Sequence, residues 1–400
     1  MKGMYSGEEK MNKTSRLLTP DFFPDFKCKM GDCRHACCEG WPIAMTMSNY
    51  FNLLGVECSA ELRGRLDRAL VRVDHPSGDE YAVINPRYDG NCPLRAADGS
   101  CALQNELGEA VIPDVCRLYP RGIRLCEGMT ECSCACSCER TVEMLFENTD
   151  RLGFIEIEKD IKPPRLTERI TGFETFGRSR DIRMKFISLL QKRELPLSSR
   201  LLSAMDAAEI ADRILTEKDE EKLDEFLCRD NFDVFSGTES DYDEKLKCGF
   251  NIIEHFLEYI DAHSDSVCSW GMAALENFKK GGRDTKNYFE AKERFEGTFA
   301  DWQIKFEKLL CEHMFFTVFP FSLSGKSIFD EFIALSAVYG LLRCLCLGNS
   351  EMINTSEKLV DVCSAVFRLV EHTEFDVFTV RLLKRLGADN KENIFDFIIL

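Results

Sequence analysis

Four cysteines occupy eleven positions in the stretch CKMGDCRHACC: Cys28, Cys33, Cys37 and Cys38, separated by four, three and no residues. Thiolates are soft donors, and four that converge can complete a tetrahedral zinc ion or hold the corners of an iron–sulfur cubane. The spacing does not match the paired C-x-x-C of a zinc ribbon, and neighbouring Cys37 and Cys38 diverge along any regular backbone, so either the two serve different centres or one of them is a supporting or structural thiol. Further thiols follow as Cys92 in GNCPL, Cys101 in GSCAL, Cys116 in PDVCRLYPR and Cys138 in SCER. The first two follow glycine-containing turns, whose free N–H groups can donate to cluster sulfurs. His35, inside the first group, is a candidate ligand or hydrogen-bond partner.

The run ECSCACSC places Cys132, Cys134 and Cys136 ahead of Cys138. On a strand all four line one face, about 7 Å apart. They read as an additional metal site or, preferably, as three small residues beside one ligand, Cys138. Thirteen of the twenty cysteines fall between Cys28 and Cys138. The other seven sit among apolar neighbours, where cysteine behaves as a small hydrophobe. In a reducing compartment such a set is expected as thiols or metal ligands rather than disulfides.

The elements around these residues divide in two. Residues 1–17 read as a loose N-terminus without the apolar run of a secretory signal, which predicts a cytoplasmic protein. Residues 18–150 are short elements broken by turn residues, the texture of a small, irregular, cysteine-rich domain organised by metal rather than by a large core. From 151 to 400 apolar residues recur at helical spacing, as at Ile182, Phe186, Leu189 and Leu190, and again at Leu359, Val360, Cys363, Val366, Phe367 and Val370. The fold class expected is therefore mostly α, an N-terminal metal-binding domain followed by an α-helical one. Polar stretches at 228–244 and 279–287 read as loops. The most apolar stretch, Phe332–Gly348, carries Arg343 and is shorter than a membrane span, so it reads as a buried core helix. In a chain of 400 residues, a net charge of −17 argues against a nucleic-acid binder, which would need a basic face to neutralise phosphates.

In order and spacing, the motifs FPDFKC, GDC, CC with GW, GNCPL, GSCAL, LGE and CRLYPR resemble the flagellin lysine-N-methylase family, part of a wider group of cysteine-rich domains described as zinc- or iron-chelating. The likeness continues through FFTVFPFSLSGKSIFDEFIALSAVYGLLR and VFRLVEH. It places Cys28, Cys33, Cys37, Cys38, Cys92, Cys101, Cys116 and Cys138 at the family's cysteine positions, with Trp41, Tyr119, Pro120 and Arg121 at its flanking ones, whereas Cys132, Cys134 and Cys136 depart from it. The resemblance implies methyl transfer from S-adenosylmethionine to lysine side chains of flagellin, with a cysteine-ligated iron–sulfur cluster (4Fe-4S).

Such chemistry needs a neutral lysine amine in line with a sulfonium methyl group. Tyr119, Tyr88 and Glu131 are candidates near the amine, and Arg117 and Arg121, with Tyr119 between them, either bind a carboxylate of substrate or cofactor or pair with local acids. No glycine-rich turn follows a strand in the doubly wound manner. The C-x3-C-x2-C triplet of radical S-adenosylmethionine enzymes also fails, because residue 40 is glycine. Any S-adenosylmethionine is therefore expected to bind elsewhere, for instance at an open iron. SLSGKS lacks the first glycine of a phosphate loop, Pro320 standing in its place. The rival reading is a non-catalytic zinc- or iron-binding module that docks a partner protein.

Overall fold

The computed structural model describes residues 15–78, 80–159, 173–232, 242–322 and 326–398. The N-terminal segment through residue 14, most of the polar stretch after Cys228 and the LSG of SLSGKS lie outside them. Within the described residues the chain is mostly α-helical, with strands confined to its first 159 residues.

Among the described residues, seven strands form two sheets: β1 (Ser15–Pro20), β2 (Ile43–Met45), β3 (Leu70–Arg72), β4 (Ala82–Ile84), β5 (Arg121–Cys126), β6 (Met129–Cys134) and β7 (Phe154–Lys159). The smaller sheet runs β2-β4-β3, all antiparallel, with Met45 opposite Ala82 and Val71 opposite Val83. Helices Met47–Gly55 and Ala60–Ala69 cover it, each begun by a hydroxyl that accepts an orphan N–H, Thr46 from Asn49 and Ser59 from Leu62. Its core is small and distinct, built on Ile43, Met45, Leu53, Leu66, Ile84, Leu94 and Leu103.

The larger sheet runs β5-β6-β1-β7. Here β1 lies parallel to β6 and antiparallel to β7, pairing with the latter from Ser15 opposite Lys159 to Pro20 opposite Phe154. A strand beyond residue 150 thus completes the sheet of the N-terminal part, and the helical body begins at Ser179. The β5–β6 hairpin turns through Glu127 (φ 48°) and Gly128 (φ 74°), the double positive φ of a two-residue turn matched to strand twist. Glu127 also accepts the N–H and hydroxyl of Ser179, so the hairpin tip caps the first long helix.

The helical body wraps around Ile328–Gly348, every described side chain of which is buried except Phe329, which is partly so. That helix is 21 residues long and apolar enough to span a bilayer, yet its whole apolar window is buried in protein, the environment expected of a helix apolar on all sides. Arg343 is accommodated over the Trp302 ring, 4.0 Å from its centroid, and beside Glu296 at 3.4 Å. Leu197–Glu217, Asp265–Lys279, Ser356–His372, Phe375–Leu386 and Lys391–Ile398 pack around it. Gly348 lies against the backbone of Ala274, where an added Cβ would collide with Ala274 Cα and Cβ. Gly348→Ala is therefore expected to force the two helices apart and lower stability by about 1–3 kcal/mol in denaturant titrations. The stretch 279–287 is a shorter break than its polarity suggests: a helix resumes at Asp284 and buries Tyr288, Ala291 and Phe295.

Candidate functional site

All eight cysteines singled out by spacing line one cavity of about 420 Å³. Cys28 and Cys37 are exposed, Cys92 is buried and the other five are partly buried. Backbone pairing gathers several of them: Cys92 N–H donates to Cys38 O at 2.8 Å, Ala102 N–H to Leu94 O at 2.8 Å, and Arg95 bridges Cys101. Cys138 precedes the first turn of helix Glu139–Phe146.

Glu139 ties the first cysteine loop to that helix. Its Oε2 accepts the N–H groups of Arg34 (2.9 Å) and His35 (3.1 Å), and its Oε1 accepts Lys29 Nζ (2.5 Å). Burial opposes the charge on Glu139, but the bond from Lys29, the His35 N–H and the Arg34 charge outweigh it and hold its pKa below the ordinary 4.5. A depressed carboxylate contributes stability that is present above its unfolded pKa and lost as pH falls through the folded one. The Cys28–His35 loop is thus expected to undock below about pH 4.5, whereas in Glu139→Gln it is loosened at neutral pH as well. Proteolysis of that loop across pH reads both effects.

The thiols themselves ask for a cation. Burial, followed by the charges of neighbouring thiols, raises the pKa of Cys92 to about 11 and of Cys116 further. Burial raises Cys33 to about 12, helped by Glu139, Cys138 and Cys28. Cys38 is the exception: a hydrogen bond from Cys37, against burial and with help from Arg95, draws it below the ordinary thiol value. Cys33, Cys37, Cys92, Cys101, Cys116 and Cys138, all raised, become thiolates together only around a positive centre, which a metal or metal cluster supplies. Among the described residues no three His, Cys, Asp or Glu side chains converge on a point fit for one ion. The donors surround a volume instead, more than ten times the ~30 Å³ share of a water molecule.

Other predicted residues distribute unevenly. Tyr119 and His35 line the cavity. Arg117 pairs with Asp114 at 2.6 Å, and Arg121 stacks over Phe26, 5.0 Å from its centroid; neither lines the cavity wall. Tyr88 is fully exposed on a loop, and Glu131 is buried against Arg183, so these two also lie off the wall. Cys132, Cys134 and Cys136 are buried and absent from the wall. Cys132 and Cys134 pack with Phe23, Phe26 and Met144, and Cys136 belongs to the main helical core. Cys134 N–H donates to Glu312 (3.2 Å), which burial pushes up to about 8 despite that bond. A carboxyl that stays protonated only when folded loses stability as pH rises from about 4.5 to about 8. Glu312→Gln is expected to flatten that part of the stability–pH curve.

The wall also contains residues that spacing did not single out. Arg368 and His372 project from helix Ser356–His372, four residues apart and therefore on one face. His372 Nε2 lies 3.0 Å from Ser137 Oγ, which accepts from Tyr119 Oη at 3.1 Å. Trp41, Tyr119 and His372 group their rings, with centroids 4.6 Å apart for Trp41–His372 and 6.0 Å for Trp41–Tyr119. Burial lowers the His372 pKa, with Glu371 opposing and Arg368 assisting, so the imidazole is neutral at pH 7. Glu371 accepts the N–H groups of Cys136 and Ser137 at 3.1 and 2.9 Å, fixing the cysteine segment to this helix. The one sequence signal for Arg368 and His372 is their polarity at the edge of an apolar helical face.

Comparison with known proteins finds one family. The profile described as FliB lysine N-methylase C-terminal domain matches residues 183–397, more than half of the chain, and that span includes Arg368 and His372. No curated protein and no solved structure matches the chain. With the helical body covered from its first helix to its last by that profile, the chain belongs to the FliB lysine N-methylase family.

Proposed function

We propose that this protein is a lysine N-methyltransferase that moves methyl groups from S-adenosylmethionine to flagellin lysines beside an iron–sulfur cluster held in the eight-cysteine cavity. The observation that carries this reading is the joint wall: the domain matched to the methylase family contributes Arg368 and His372 to the cavity lined by the cysteines of the N-terminal part.

What supports a polynuclear cluster is the donor chemistry, eight soft thiols lining one cavity. When bound, such a cluster would supply a redox-capable centre next to the reacting groups. The protein's own groups cover the remaining needs. Trp41 and Tyr119 place aromatic rings in the cavity wall, a surrounding suited to a cation, either sulfonium or ammonium. Arg368 offers a guanidinium to a carboxylate such as that of the methyl donor. His372, with Ser137 as its relay, takes the proton that the lysine nitrogen must lose. The nitrogen lone pair then forms the new N–C bond while the C–S bond breaks, and its electron pair leaves with sulfur. An acidic chain of net charge −17 suits a lysine-bearing partner.

The test is anaerobic incubation of the iron- and sulfide-loaded full chain with flagellin and S-adenosylmethionine, followed by intact-mass and peptide mass spectrometry. Flagellin is expected to gain methyl groups on lysine, and the visible absorption of the protein to change when S-adenosylmethionine is added. A loaded protein that neither binds S-adenosylmethionine nor changes flagellin mass would overturn the proposal. Zinc in the cavity with unmodified flagellin retained on the protein would move the reading to a docking module.

A further inference from the structure

We infer that Glu371 is the positioning residue of a proton relay in the cavity wall: by gripping the backbone of Ser137 it aims that hydroxyl between Tyr119 and His372. This rests on the reading above that His372 takes the amine proton through Ser137. It adds the residue at which the proton enters, Tyr119, and the one that keeps the relay in register.

The turn between strand β6 and helix Glu139–Phe146 has four successive N–H groups to place. Ala135 N–H donates to Pro120 O at 2.9 Å, and Cys138 N–H to Ala135 O at 3.2 Å. Cys136 and Ser137 find their acceptors on another element: Oε1 of Glu371 takes the first at 3.1 Å and Oε2 the second at 2.9 Å. The Glu371 side chain is 1% exposed, so either N–H would be costly to strand there. A carboxylate suits the pair because both of its oxygens accept, whereas an amide offers one acceptor and turns a donor toward the other N–H. His313 Nδ1 lies further off, 3.4 Å from Oε1.

This grip fixes more than backbone. Ser137 is fully buried, and its hydroxyl lies 3.1 Å from Tyr119 Oη and 3.0 Å from His372 Nε2. Tyr119 is the partly exposed member and lines the cavity, so the chain opens toward substrate at its Oη. With Tyr119 donating to Ser137 and Ser137 to Nε2, the ammonium proton passes to Oη, the Tyr119 proton to Ser137 Oγ and the Ser137 proton to Nε2. A neutral lysine amine and an imidazolium result. Glu371, next to His372 on the same helix, supplies the negative charge beside that imidazolium. The two neighbours hold Ser137 at different points, one by its N–H and the other by its hydroxyl, so a slip in the first misaligns the second.

The experiment compares the full-length wild type with Glu371→Gln by steady-state methyl transfer, by iron and sulfide content, and by nitrogen NMR of the histidine rings, with His372→Gln identifying the resonance. The wild type is expected to show His372 protonated at Nδ1 and accepting at Nε2. Glu371→Gln is expected to show mixed tautomers and a kcat lower by about 10- to 100-fold, the scale of a displaced reacting group, at unchanged KM for flagellin and unchanged iron. In a His372→Gln background it is expected to cost little further rate. If Glu371→Gln fails to fold, Glu371→Asp, which keeps the charge one methylene short, carries the same expectations. Wild-type kcat in the variant, a proton on Nε2 in the wild type, or a loss of rate that tracks loss of iron overturns the assignment. The tautomer is read without methyl donor or flagellin. The expected tautomers with no methylation by the wild type therefore leave the hydrogen-bond chain standing and remove the catalytic reading, whereas full methylation by both proteins does the reverse.

Discussion

Replacing His372 with alanine is expected to lower methyl transfer to flagellin by about 100-fold or more, the usual scale for loss of a positioned general base, while iron and sulfide content stay at wild-type levels. The ring touches the cavity through Ser137 Oγ at 3.0 Å and stacks near Trp41, but none of the eight cysteines is its hydrogen-bond partner. A residue that only braced the cysteines would change metal content first. His372→Gln keeps a hydrogen-bonding group near Ser137 without a basic nitrogen. It is expected to retain the fold and the iron yet show a kcat nearly as low as alanine, with KM for flagellin little changed. Recovery of rate at higher pH, where free lysine amine is more abundant, distinguishes loss of a base from collapse of the site. Wild-type kcat in the alanine variant would remove His372 from the chemistry.

The second large effect lies in the helical core. Glu307 is fully buried and receives Arg193 through Nε and Nη2 at 3.0 and 2.7 Å and Arg200 Nη1 at 2.5 Å. Arg200 is itself buried and also donates to Leu190 O. Glu307→Ala strands that guanidinium without a counter-charge, which is expected to cost about 3–5 kcal/mol, enough to consume much of a domain's stability. Because the cost is an uncompensated charge rather than lost packing, Arg200→Met in the Glu307→Met background is expected to recover most of it. Urea unfolding of the two single variants and the double variant gives the coupling directly, and simple additivity would contradict the account.

The cysteine constellation was legible in the sequence because a thiol carries its chemistry in its residue type, and eight of them in this order admit few uses. Their meeting in one cavity was only implied, since Cys28 and Cys138 are joined by contacts of Glu139 with Lys29, Arg34 and His35, which no local pattern announces. Periodicity likewise exposed the helices whose apolar stripe is continuous, including Ser179–Leu190 and Ser356–His372. It missed the start of Asp284–Thr298, where a polar first turn conceals a face narrowed to Tyr288, Ala291 and Phe295. The four-stranded sheet was out of reach for another reason: β1 finds its partners more than a hundred residues away, one of them in parallel. Arg368 and His372 look like ordinary boundary residues of an amphipathic helix, and only the packing of that helix on Glu139–Phe146 turns them toward the thiols. Arg117 and Arg121 show the converse, since nearness in sequence to Cys116 put them close to the site without aiming them at it.

The helix that carries Arg368 and His372 follows the last of the eight cysteines by more than two hundred residues. During synthesis the thiols therefore leave the ribosome long before the wall that closes over them, at chain growth of about 5–20 residues per second. For that interval the nascent N-terminal part presents an open, oxidisable cup. If the cavity holds the iron–sulfur cluster proposed above, a cell making this protein has either to deliver iron and sulfide to the growing chain or to keep its cysteines reduced until the final helices dock, and oxygen reaching the cup first would leave a folded chain that can no longer be loaded.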